Sequence, residues 1–405
     1  MAREIVDPRP PIPAVYRTPE RVAIQEMARD FAMNKVLPVA NELDPEKGLM
    51  PESLRKEMGE LGFFGILLPE KYDGLGLGVF EYALITEELA RAWMSVSSII
   101  ARSSLAVGLD PTHRERYLPL AARGEWLPAF AMSEPDAGSD IASIRTRADK
   151  TDGGWILNGQ KMWCTFADQA NGLIVVARTT PYDPDRRHAG IRQFIIFKEP
   201  DTFPEGITGN AIKKIGYHGW HTYELSFNDF FVPDDGLIGY EAEAPDADVD
   251  DGFKQTAAGM TTPRIHTAAR SIGLARGALE DSVAYVQERE QFGRPIGDFQ
   301  AMRFKIAAMA SELEASRALL YQVCANTDAG EESHLEGAMI KYLASEMSER
   351  VTSEALQIHG GAGYTTDFPI ERYWRDARLT KIFEGTSEIM QRIISDHLLP
   401  PTPFR

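Results

Sequence analysis

The hydrophobic period changes twice along this chain, and few architectures accommodate that. Up to about residue 128 apolar residues recur every three or four positions; Phe31, Leu37, Val39 and Leu43 do so loosely. The run Tyr82, Ile85, Leu89, Ala92 and Val96 does so clearly and predicts an amphipathic helix. From about 129 to 240 the pattern becomes short β-branched and aromatic runs, in GWILNGQKMWC (154–164), GLIVVAR (172–178), RQFIIF (192–197) and YELSFNDFFVP (223–233). Asn158-Gly159, between two apolar runs, predicts a tight hairpin turn. The helical period then returns, with helices expected over 263–290, 298–326, 333–359 and 387–398, the last stopped by Pro400 and Pro401. The order α, β, α predicts an α+β protein. Its parts are a helical domain over 1–128, a small antiparallel β domain over 129–240 and a helical bundle over 241–405.

Composition excludes several function classes. Sixty acidic against 43 basic residues leave a net charge of −17, which opposes non-specific binding to nucleic acid or anionic membranes. Two cysteines, Cys164 and Cys324, build neither a disulfide framework nor a thiolate metal site, so no metal is expected and a reducing cytoplasm is. MAREIVDPRPPIP has no apolar core of a signal peptide, and no apolar run nears the roughly 18 residues of a membrane span. The acidic stretch 241–251 reads as a solvated loop. KYDGLGLG (71–78) reads as a loop between helices, because Val79 breaks the G-x-G-x-x-G spacing.

The chemistry concentrates in KIFEGTSEIMQ (381–391). There Glu384 follows an apolar pair and precedes a glycine, at a helix start. Charged groups are rarely buried without a reason, so Glu384 is either a solvated loop residue or a carboxylate held dry for chemistry. A carboxylate in an apolar pocket has a raised pKa and is a stronger base.

FAMSEPDAGSD (130–140), NGQKMWCT (158–165), EREQFGRPIGDFQ (288–300) and QIHGGAGY (357–364), with the stretch around Glu384 and LGFFGILLPEKYDGLG (61–76), lie in an order and spacing that resemble the acyl-CoA dehydrogenase family over nearly the whole chain. The resemblance implies a helical amino-terminal domain, a middle antiparallel β-barrel and a carboxyl-terminal four-helix bundle. It implies FAD as cofactor, an acyl-CoA substrate, electron-transfer flavoprotein as acceptor and a homotetramer built as a dimer of dimers. It places Phe130, Met132, Ser133, Trp163 and Thr165 around the flavin ring, although Trp163 alone would read as a core aromatic. Gly138 approaches the flavin, and Ser139 lies where flavin meets coenzyme A.

By the same resemblance Arg289, Gln291, Phe292 and Gln300 reach the pyrophosphate and adenosine of a neighbouring subunit's FAD, with Gln357, Gly360 and Gly361 as the other half of that clamp. Thr386 and Glu388 open the helix that points at the flavin; capping by Thr386 or Ser387 is an equally good account of the hydroxyls. Glu384 is the implied base, Gly385 leaves room for the thioester, and Arg264 lies near coenzyme A or in a structural ion pair. The alternative base position is occupied by Pro263, which cannot act. Thr261 stands where the family often has an acidic residue, and Phe166 where it has asparagine. His218, His221 and His359 are expected in structural or cofactor-adjacent roles.

Arg102, in SVSSIIARSSL (95–105), is expected to face away and pair with a carboxylate. The sharper alternative is that it receives a carboxylate on the substrate. Two other function classes remain on this reading: a flavin-dependent oxidase of the same fold, acting on acyl-CoA or a nitroalkane, and a catalytically silent flavin-binding member.

Overall fold

The computed structural model describes residues 11–239 and 260–400, so the acidic stretch 241–251 lies outside the described residues. The element order is the predicted one. Helices α1 (Pro19–Phe31), α2 (Leu37–Leu43), α3 (Glu52–Glu60), α4 (Val79–Ala92), α5 (Met94–Ile99), the one-turn α6 (Ala101–Ser104) and α7 (Pro111–Ala122) come first. Almost every residue of α4 is buried, including Glu87, Glu88 and Arg91. The Asp328 carboxylate accepts from the Val79 and Phe80 amides at 2.7 and 3.1 Å, so the amides after the glycine-rich loop are already occupied. That loop folds back on residues 65–69 and holds no phosphate cradle.

Seven strands form one curled sheet in the order β1-β4-β2-β3-β7-β6, with β5 on β4. They are β1 (Pro128–Ala131), β2 (Arg147–Thr151), β3 (Gly154–Thr165), β4 (Gly172–Arg178), β5 (Ile191–Phe197), β6 (Ile207–Ala211) and β7 (Thr222–Pro233). Most pairings are antiparallel as expected, but β1 runs parallel to β4, with Phe130 opposite Ile174. The hairpin is not at Asn158-Gly159. It is at Asp152-Gly153, because Thr151 already pairs with Gly154. Asn158 and Gly159 sit inside β3 at a register shift. The Asn158 side chain exchanges hydrogen bonds with Asp229 at 2.9 and 3.0 Å, and a Cβ on Gly159 would lie 2.6 Å from the Thr146 hydroxyl. Glycine is there for a close crossing, not a turn. A second shift, between Lys161 and Cys164, puts Trp163 at φ +62°.

The carboxyl-terminal helices are α8 (Thr261–Glu288), α9 (Gln300–Asp328), α10 (His334–His359), α11 (Ile370–Thr380) and α12 (Ser387–Leu398), with a small ribbon of β8 (Glu290–Gln291) and β9 (Arg294–Pro295) after α8. The unpredicted α11 joins the four predicted helices, burying Ile370, Tyr373, Ala377 and Thr380 along one face of an otherwise charged segment. α4 packs into this bundle through buried ion pairs. Arg276 of α8 grips Glu88 at 2.7 and 2.6 Å, and Arg317 of α9 reaches Glu87 at 2.9 Å. Such pairs fix how elements register more than they add stability, since dehydrating the charges offsets most of the attraction.

Candidate active site

Glu384 lies in the turn between α11 and α12, at φ +54°, followed by Gly385 at φ +92°. A left-handed glutamate costs about 1–3 kcal/mol unless neighbours hold it. Lys341 of α10, fully buried, donates to the Gly385 carbonyl. The Thr386 hydroxyl caps α12 by accepting from the Ile389 amide at 3.3 Å, while the Ser387 hydroxyl donates to Glu346 at 2.7 Å. Thr386 is therefore the cap, and Glu388 is exposed in the first turn.

The carboxylate itself is clasped from α8. Arg270, 1% exposed, donates to one oxygen at 2.7 Å, and the Thr267 hydroxyl donates to the other. The same guanidinium reaches the Thr267 hydroxyl at 3.0 Å and lies over the Phe383 ring at 4.6 Å. Around this pair, Tyr217 meets Phe383 edge-on at 6.2 Å and donates to the Ser98 hydroxyl at 2.7 Å. Tyr82 stacks obliquely on His266 at 5.1 Å, and a His266 ring nitrogen bonds the Ser97 carbonyl at 3.0 Å. Glu384 keeps 30% of its side-chain surface open.

These contacts overturn one expectation. Burial pushes the Glu384 carboxyl up, but the Arg270 charge beside it and the two hydrogen bonds outweigh that and hold it below the usual carboxylate range. Glu384 is held ionised, and its basicity is not raised. Burial drives His266 down to about 3, and raises the Tyr82 and Tyr217 phenols, so all three are neutral near pH 7.

Arg102 is half-buried, and its charge acts on Tyr82, Tyr217 and His266. Among the described residues no carboxylate pairs with it, so the expected outward ion pair is not formed. Arg264, 5% exposed, approaches a ring nitrogen of His334 at 3.2 Å, and among the described residues it too lacks a carboxylate partner.

The residues predicted for the flavin fall into two groups. At the first, the Met162 amide donates to the Ser133 carbonyl at 2.8 Å, and the buried Lys161 amine donates to the Met132 carbonyl at 2.9 Å and to Glu134 at 2.8 Å. These bonds bring Phe130, Met132 and Ser133 beside Trp163 and Thr165. Trp163 is not a core aromatic: the bulge turns it outward, 56% exposed. The Thr165 and Thr222 hydroxyls bond at 2.9 Å. Gly138 and Ser139 are exposed just after a tight turn closed between Glu134 and Ala137, with open space beyond the Gly138 Cα.

The second group sits at the other end of α8. Arg289 ends α8, Gln291 and Phe292 lie on the β8–β9 ribbon, Gln300 opens α9, and Gln357, Gly360 and Gly361 lie at the end of α10; all are exposed. Tyr285 stacked on His359 at 4.1 Å fastens these ends together. α8 rises roughly 27 Å between Arg270 and that end. Uncovered aromatic faces at Trp163 and at Phe292, 93% exposed, with open space at Gly138 and at Gly293, suit a long dinucleotide carrying a planar ring.

Of the histidines, His218 is buried against α5 and accepts from the Ser95 hydroxyl through its carbonyl. His221 bonds Asp168 at 2.7 Å, and His359 is the stacking partner just described. Phe166 packs edge-on against Trp220. Sequence reasoning missed Thr267, Arg270, His266 and Lys341. Their signal is polarity on helix faces otherwise apolar, with Thr267 and Arg270 three apart on the buried face of α8.

Descriptions of the acyl-CoA dehydrogenase N-terminal, middle and C-terminal domains match residues 18–125, 129–230 and 250–399 in turn. The chain is 38% identical to an acyl-CoA dehydrogenase of Bacillus subtilis over 395 residues, 96% of this chain and all of that one. It is 36% identical to (2S)-methylsuccinyl-CoA dehydrogenase of Cereibacter sphaeroides over 93% of this chain and 69% of that one. Butyryl-CoA dehydrogenase from Megasphaera elsdenii superposes with a TM-score of 0.86 at 33% identity, covering 94% of this chain and 98% of that one. Among the described residues no helix is long and apolar enough to cross a membrane. With every domain matched in order around a clasped carboxylate and two exposed aromatic faces, the chain belongs to the acyl-CoA dehydrogenase family, FAD-dependent oxidoreductases of acyl-CoA thioesters.

Proposed function

We propose that Glu384 removes the α-proton of an acyl-CoA thioester, in an anti elimination that yields the trans-2-enoyl-CoA. The observation that carries this reading is a carboxylate held ionised in a left-handed turn, open on one side. Bound FAD supplies the hydride acceptor, N5. Phe130, Met132, Ser133, Trp163 and Thr165 would hold its ring. Arg289, Gln291, Phe292, Gln300, Gln357, Gly360 and Gly361 would hold the pyrophosphate and adenosine of a neighbouring subunit's FAD, which fits their separation along α8. That division favours a homotetramer of paired dimers.

The Glu384 amide donates to the thioester carbonyl and acidifies the α-carbon, and Gly385 leaves the acyl chain room. Because the base is not strengthened, this polarisation and the fixed aim of the carboxylate carry more of the barrier. Ser139 and Arg264 would meet coenzyme A. Electrons leave to electron-transfer flavoprotein, in the cytoplasm. Glu384→Gln should keep the yellow cofactor yet show no bleaching by substrate without oxygen; near-normal bleaching refutes the assignment. Oxygen consumption without electron-transfer flavoprotein would favour an oxidase instead.

A carboxyl-bearing acyl group is favoured by one observation: Arg102 is half-buried, its charge acts on the same Tyr82, Tyr217 and His266 that surround Glu384, and no carboxylate is paired to it among the described residues. The name of the methylsuccinyl-CoA relative is in keeping with it. Succinyl-CoA should be turned over faster than butyryl-CoA, with the gap closed by Arg102→Ala; equal rates in the parent protein remove this reading.

A further inference from the structure

Among the described residues the Glu384 carboxylate accepts hydrogen bonds from two side chains, Thr267 and Arg270, one on each oxygen. Both stand on α8, whereas Glu384 comes from a turn 114 residues further along the chain. The groups that face the carboxylate from the packed elements can be sorted by charge. Tyr82 of α4, Tyr217 of the segment before β7 and His266 of α8 are neutral near pH 7, burial being the leading cause in each. Arg102 of α6, Arg264 of α8 and Lys341 of α10 are cationic, but their hydrogen bonds, where they make any, go elsewhere: Lys341 to the Gly385 carbonyl and Arg264 to His334. Among the described residues only Arg270 brings a charge into contact with the base. It is itself buried at 1% exposure, stacked on Phe383, and its Nε has no partner among the described residues, so its place is held by Glu384, the Thr267 hydroxyl and the ring.

We infer that Arg270 is a positioning residue that aims the Glu384 carboxylate and sets its proton affinity. This rests on Glu384 being the base. In the reaction the proton leaves the substrate α-carbon and binds a Glu384 oxygen, so the anion held by Arg270 becomes a neutral acid and the charge-assisted bond weakens. Arg270 thereby opposes the proton transfer it aims. Its effect on rate is the balance of the two, while its effect on proton affinity has one sign.

The test is the acid limb of the kcat/KM profile, with carbon-13 NMR titration of the Glu384 carboxyl, identified by its absence from Glu384→Gln. Arg270→Gln should move both upward by about one pH unit or more, because an adjacent opposite charge is worth that much. Arg270→Lys, which keeps a charge, should leave them close to the parent. An unmoved limb and NMR midpoint in Arg270→Gln with its FAD retained overturns the inference. If that variant does not fold, Thr267→Val, which removes the other donor and frees Arg270, is read by the same two measurements, with an unmoved midpoint again overturning it. Failure of the base assignment shows separately, as bleaching of Glu384→Gln, and leaves the NMR titration interpretable.

Discussion

Lys341→Met sets two effects of similar size against each other. In the parent, burial drives the Lys341 amine down from 10.5 to about 8. At about 1.4 kcal/mol per pKa unit, that fall means carrying the ammonium in the folded protein costs about 3 kcal/mol near neutral pH. Methionine, similar in length and apolar, removes that cost. It also leaves the Gly385 carbonyl without its donor, a loss of about 1–3 kcal/mol. Net stability should therefore change little or rise slightly at pH 7. Turnover should fall, because the left-handed turn carrying Glu384 loses its anchor to α10 while Arg270 still pulls from α8. The pH dependence checks the sign. Between about 8 and 10.5 the unfolded chain binds the lysine proton and the folded one does not, so parent stability should gain on the variant as pH rises through that window. Denaturant unfolding at pH 7, 8.5 and 10, with anaerobic flavin reduction by substrate, measures both. A variant several kcal/mol less stable at pH 7, or one with unchanged turnover, refutes the reasoning.

Gly385→Ala would place a methyl 2.6 Å from the Met390 terminal carbon at φ +92°. The strain, about 1–3 kcal/mol, should appear as roughly a hundredfold loss of turnover with FAD still bound, and parental kinetics would show that the turn is not strained as described. Glu88→Gln breaks a two-pronged buried pair, leaving Arg276 with longer contacts to Glu87 at 3.4 Å and Glu280 at 3.6 Å. A loss of about 3 kcal/mol, near the low end for an orphaned buried charge, is expected in thermal or denaturant unfolding.

How much of this could be read from sequence depended on distance along the chain. The long carboxyl-terminal helices and the placement of Glu384 just before a helix are local patterns, and they hold; the run Tyr82–Val96 is helical but breaks at Trp93, and α4 is buried on all sides rather than along one face. The hairpin at Asn158-Gly159 failed because two Asx-Gly pairs stood six residues apart, and only cross-strand pairing decides which one turns. α11 was missed because its buried face is set in a run rich in arginine and acid. The raised basicity of Glu384 failed for the same kind of reason. Its apolar sequence neighbours are real, but the cation that governs it comes from α8, 114 residues away.

The Glu384 carboxylate is tethered to two helices at once, by its oxygens to α8 and by the next carbonyl to α10. Any slippage of one helix along the other must tilt the carboxylate before it disrupts much of the apolar interior. On heating, catalysis should then fade at temperatures where circular dichroism still reports intact helices, making turnover a gauge of how tightly these two rods are locked.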